Sequence, residues 1–200
     1  MPTRSHRFLF GKGMVSDDTE HPCMVAQSLI VAAVDPQKFQ QALAWRLRWW
    51  VLALPAGVGL ATLRACVRLW LGFPGDRSGV FSAGNGPAMR SPVLGVCYGD
   101  NLAVLRRLVR ISTRLTHSDP KAEWGAMAIA IATHFAATQA EIVPEQYYNA
   151  LEAALPPESR AFLEIIKRAC LSAQNKQSGV DFACQIGASR GVSGYIYQTV

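Results

Sequence analysis

Apolar residues return at every third or fourth position along almost the whole chain, and nowhere do they alternate with polar ones between hairpin turns. The first pattern belongs to helices that bury one face and the second to half-buried strands, so an all-α, compact multi-helix bundle of roughly seven to nine helices is expected. Met24, Val25, Ser28, Leu29, Ala32 and Ala33 trace one such face, and Phe39, Leu43, Leu47 and Trp50 trace the next. Between them, Asp35-Pro36 has the form of a cap followed by the one helical position that tolerates proline. Further helices are expected from the Pro55 break to about Leu71, then over Pro87 to Val96, Asn101 to Leu115, Lys121 to Gln139, Pro144 to Leu155 and Glu158 to Ala173. Turn-rich stretches such as GFPGDRSG, from Gly72 to Gly79, separate them.

A chain of 200 residues with 50% hydrophobic content can bury a sizeable core, so one domain over 1–200 is expected. A charge-free run, Trp49 to Leu63, contains Pro55, Gly57 and Gly59 and falls short of the roughly 20 residues that span a bilayer. It therefore reads as a buried helix pair broken near Pro55, with no membrane partner. The start, MPTRSHRFLFGKG, lacks the apolar stretch of a secretion signal. Cys23, Cys66, Cys97, Cys170 and Cys184 lie far apart, mostly among apolar neighbours, and read as buried reduced thiols of a cytoplasmic protein. The net charge of +6 favours anionic partners. Because the arginines are spread along helical runs, solvated faces are expected rather than a nucleic-acid surface.

Three short stretches hold side chains suited to chemistry, and each has a plainer reading. Ser16, Asp17, Asp18 and Glu20 sit at a helix start, where Asp17 and Glu20 have capping-box spacing. Two carboxylates and a hydroxyl are equally a partial set of hard oxygen ligands for Mg²⁺ or Mn²⁺. Ser82, Gly84, Asn85 and Gly86 precede a helix whose backbone N–H groups would face an anion, or else form a tight connection without ligand. His117 lies in the turn Leu115-Thr-His-Ser-Asp-Pro120, where it is a pocket residue or a structural one, and Ser118 or Asp119 is placed to cap the next helix.

Taken in order, SDDTE leading into an apolar helix, GNGPAMR leading into LG, LTHSDP before an alanine-rich helix, and GVSGYIYQTV resemble the ADP-ribosylglycohydrolase family over about Met14 to Val200. The resemblance implies an all-α hydrolase that binds two divalent metals, usually Mg²⁺ or Mn²⁺, and removes ADP-ribose from protein side chains or related small acceptors. Residue by residue, it implies metal ligation by Ser16, Asp17 and Asp18. It also implies ADP-ribose contacts from Ser82, Gly84, Asn85, Gly86 and His117. Two family stretches, an early Gly-Asp-Ala-x-Gly with its acidic residue and a late Gly-Gly-Asp-Thr-Asp-Thr type segment, have no counterpart here. The chain is accordingly expected to be shortened at both ends, with too few carboxylates for two dications. It then reads as a hydrolase whose site a partner completes, as a non-catalytic ADP-ribose or nucleotide module, or as an inactive fragment.

Overall fold

A computed structural model describes residues 15–53, 55, 57–188, 191 and 193–200. It has ten α-helices and no sheet among these residues, as the periodicity requires. In chain order they are α1 (Asp17–Ala32), α2 (Pro36–Trp50), α3 (Leu60–Trp70), α4 (Gly86–Tyr98), α5 (Leu102–Arg114), α6 (Pro120–Thr138), α7 (Pro144–Ala154), α8 (Arg160–Gln174), α9 (Gly179–Gln185) and α10 (Ile196–Thr199). Ten is one more than the upper expectation, and the last two lie outside the eight stretches named from the sequence because helices this short show no periodicity to read.

Local chemistry sets several boundaries. Asp35 caps α2 by accepting from the Gln37 and Lys38 amides at 2.9 and 3.2 Å, and Asp119 caps α6 by accepting from Lys121 at 2.9 Å, each with proline next. Asn101 does the same for α5 through the Val104 amide.

The middle of the molecule is α4 laid along α6. The approach is close enough that a Cβ on Gly95 would enter the Ala130 carbonyl and one on Gly99 the His134 ring. Helices α1 and α2 cover one flank of this pair, α5 bridges α4 and α6, and the α7–α8 hairpin packs through α7. Phe39, Leu43, Leu47, Leu94, Leu105 and Phe162 are fully buried, each worth about 2 kcal/mol of burial. At the other end, α10 drops Ile196 onto Gly125 of α6.

Two expectations need correction. Of the five thiols only Cys66 is buried, because Cys23, Cys97 and Cys184 fall on solvent-facing sides of their helices and Cys170 is half-covered. The run from Trp49 to Leu63 breaks as expected, through a 3₁₀ turn at Val51–Ala53, but Trp49, Leu52, Leu60 and Leu63 are exposed. The buried face of α2 lies earlier, at Phe39, Leu43 and Leu47. No helix among the described residues is long and apolar enough to cross a membrane. The N-terminal stretch read for a secretion signal lies outside those residues, as does Met14, where the resemblance begins.

Candidate functional site

Residues distant in sequence meet in a cleft of about 350 Å³ lined by Asp17, Asp18, Gly57, Thr62, Ser82, Gly84, Asn85, Gly86, Met89, His117 and Gly194 among others. Every site residue expected from the sequence is in this lining except Ser16, which is exposed at the helix start beside it.

The acidic wall is the first turn of α1. Ser16 occupies the N-cap position, yet its hydroxyl makes no capping bond and instead faces Asp18 Oδ2 at 3.5 Å. Glu20 does not close a capping box either, since its Oε2 accepts from Trp50 Nε1 at 2.7 Å. Asp17 turns inward, 7% exposed, beneath Gly57, where a Cβ would lie 2.8 Å from its Oδ1. Gly57 has φ 87°, a conformation that also favours glycine. Burial, and then the neighbouring Asp18, push the Asp17 carboxyl above the usual carboxylate range.

The opposite wall is the glycine loop and His117. The loop is stitched on both sides. Val80 N–H donates to the Thr116 carbonyl at 3.1 Å and Ser118 N–H to Val80 at 2.9 Å. Across the loop, Asn85 N–H donates to Gly194 at 3.0 Å and Ile196 N–H to Ala83 at 2.9 Å. The Asn85 amide is thus spent on Gly194, and Pro87 has no N–H. Of the anion-facing amides expected here, those of Gly84 and Gly86 remain, and Gly84, lying between the two bonds of an antiparallel bridge, turns its N–H away from Tyr195. His117 packs directly beneath them: a Cβ on Gly84 would sit 2.9 Å from its Nε2, and one on Gly86 3.0 Å from its Cε1. His117 is 2% exposed, and burial followed by the charge of Arg90 lowers its pKa to about 3, so the ring is neutral.

Beneath this wall lies Arg90, fully buried on α4, with no carboxylate paired to it among the described residues. Its Nε donates to Ser112 Oγ at 3.2 Å. Its Nη2 donates to the Ser112 carbonyl at 3.0 Å and to Thr116 Oγ1 at 2.6 Å, and Nη1 meets His21 Nδ1 at 3.3 Å. Desolvation brings the Arg90 pKa down to about 10, which leaves it charged at neutral pH. His21, fully buried on α1, is lowered to about 2 by desolvation and then by Arg90.

Sequence reasoning passed over Arg90, His21, Thr62 and Gly57. Gly57 and Gly59 before α3 repeat the Gly-x-Gly spacing of the loop before α4, which was the available signal. An arginine inside a helix carries none. A larger hollow of about 670 Å³ between α5, α6 and α7 is lined by Arg106, Arg110 and Arg114. There Arg106 is engaged by the Ala154 carbonyl and Arg114 by Ser118 and Glu123.

As hard oxygen donors, Ser16, Asp17 and Asp18 suit a small dication in kind. In number they fall short, because no three His, Cys, Asp or Glu side chains gather around one point among the described residues.

The chain is 34% identical over 121 residues to an uncharacterized protein of Archaeoglobus fulgidus, an overlap of 60% of this chain and 39% of that relative. The chain thus spans well under half the length of the relative it matches. The sequence model of the ADP-ribosylglycohydrolase family matches residues 2–200. This chain belongs to the ADP-ribosylglycohydrolase family.

Proposed function

We propose that this chain carries the ligand cleft of a hydrolase that removes ADP-ribose from protein side chains or small acceptors. The observation that supports it most is the meeting of the α1 acidic turn, the Gly84–Gly86 loop and His117 in one cleft, in a chain of this family. ADP-ribose asks for two kinds of surface. Its diphosphate suits the Gly84 and Gly86 amides at the positive start of α4. Its terminal ribose hydroxyls suit the carboxylates of Asp17 and Asp18, which repel the diphosphate and so fix which end lies where. Hydrolysis replaces the bond from the anomeric carbon to the acceptor atom by one to a water oxygen, and a water proton ends on the released acceptor. When Mg²⁺ or Mn²⁺ is bound, Ser16, Asp17 and Asp18 would hold it, and it would supply charge to orient ribose hydroxyls and water.

A second reading, a non-catalytic ADP-ribose module, is favoured by the small count of metal-ligating side chains around the cleft among the described residues. Calorimetry with ADP-ribose, with and without Mg²⁺ or Mn²⁺, separates the two when paired with an assay for ADP-ribose released from modified protein. Metal-dependent release that Asp17→Ala abolishes supports the hydrolase. Metal-independent binding without release supports the module, and absence of any binding overturns both.

A further inference from the structure

The partners of Arg90 fix where the protons of two histidines sit. A guanidinium only donates, so Thr116 Oγ1 accepts from Arg90 Nη2 at 2.6 Å. Thr116 is fully buried, and among the described residues its hydroxyl has one other hydrogen-bond partner, His117 Nδ1 at 2.9 Å. Were the hydroxyl to accept from that nitrogen too, its own proton would be stranded in a dry interior, so it donates to Nδ1 instead. His117 Nδ1 is then the bare nitrogen, and the ring carries its proton on Nε2, the atom beneath Gly84 in the cleft. The same guanidinium donates through Nη1 to His21 Nδ1, which gives that ring the same tautomer.

We infer that Arg90 is a positioning residue: acting through Thr116, it holds His117 as the neutral Nε2–H tautomer, so that the cleft offers an anionic or hydroxylic ligand an uncharged hydrogen-bond donor. An imidazole free to exchange tautomers would present an acceptor at that atom part of the time. An anion requires a donor there, so each ligand of that class would meet a fraction of the molecules in the wrong form. That the ligand is ADP-ribose rests on the function proposed above, whereas the proton assignment stands on geometry alone.

The test is long-range ¹⁵N–¹H correlation on histidine-labelled protein at pH 7, with His117 assigned through a His117→Gln variant. His117 and His21 are each expected to show a bare Nδ1 and a protonated Nε2. In Arg90→Met, Thr116 is released to accept, so an Nδ1–H form of His117 is expected to appear, and Arg90→Lys should keep the single form. A wild-type His117 with its proton on Nδ1, or with both nitrogens protonated, overturns the inference, as does an unchanged spectrum in Arg90→Met. If Arg90→Met loses its helical circular dichroism, Thr116→Val is read in its place. Its Nδ1 resonance should move to that of an unbonded acceptor and Thr116→Ser should restore it, while no movement in Thr116→Val overturns the assignment. ADP-ribose is then titrated into the wild type. A shift centred on His117 Nε2 supports the donor role, and a shift that leaves Nε2 unmoved overturns it. No binding at all sinks the ADP-ribose reading and leaves the tautomer decided by the first spectra.

Discussion

The two walls of the cleft are held by different physics. The His117 wall rests on a buried cation that donates to four acceptor atoms and on backbone bonds to segments before and after it in the chain. The acidic wall rests on one helix turn whose hydroxyl makes no capping bond and whose buried carboxylate has, among the described residues, no cation paired to it to offset its desolvation. One wall is shaped before any ligand arrives, whereas the other carries unbalanced charge that a ligand or a cation would relieve. The polar contacts that fix the cleft are therefore concentrated on one side and its unbalanced charge on the other.

The comparison breaks most visibly at Arg90. Arg90→Met strands acceptors on His21, Ser112 and Thr116 in a dry interior, and a loss of about 3–5 kcal/mol is expected in denaturant unfolding. A loss below about 1 kcal/mol would mean that the network is not what holds this wall.

Acid should act on the same wall. His21 and His117 have folded pKa values of about 2 and 3 against 6.5 in the unfolded chain. The unfolded chain thus binds more protons below about pH 6.5, and stability must fall as pH falls. The two rings together should remove about 2.5 kcal/mol between pH 7 and 5.5. Urea titrations at those two pH values test this, and flat stability would show that both rings take up protons in the folded chain as readily as in the unfolded one. The raised pKa of Asp17 works in the opposite direction, favouring the folded form as its carboxyl takes up a proton.

Gly84→Ala sharpens the contrast further. The added methyl would meet His117 Nε2 at 2.9 Å, and that buried ring is held by Thr116, so affinity for ADP-ribose should drop about tenfold or more by calorimetry and stability should fall by about 1–3 kcal/mol. The smallest effect is expected on the acidic wall. Asp17→Asn removes a desolvated charge, so Tm should rise slightly, on the order of 1–2 °C, while Mn²⁺ affinity falls. A clear drop in Tm would place Asp17 among the residues that hold the fold.

Much of the architecture was legible because its determinants are local. Asp35-Pro36 and Asp119-Pro120 start helices through side-chain oxygens two or three residues from the amides they cap; spacing reveals the first outright and narrows the second to Ser118 or Asp119. The buried faces of α2 and α5 follow from recurrence every third or fourth residue. The capping-box spacing of Asp17 and Glu20 misleads for the converse reason: the pattern is present, but Trp50, from α2, claims Glu20, and no sequence spacing reports that. Arg90 is the extreme case. Its place is defined by His21 on α1, Ser112 on α5 and Thr116 beyond it, and in sequence it is one arginine among many. The candidate site was legible where it consists of loops with unusual composition, and hidden where helix interiors support those loops.

The stitching of the glycine loop to Gly194 and Ile196 has a consequence for the timing of synthesis. Residues 80 to 118 leave the ribosome well before 194 to 196 do, an interval of several seconds at about 5–20 residues per second. Through that interval the His117 wall can settle on Arg90, while Gly125 lacks the Ile196 side chain that covers it and the loop lacks one of its two seams. The nascent chain thus passes through a stage with a finished floor and an open side, and the lining of the cleft is completed only with the segment that carries Gly194.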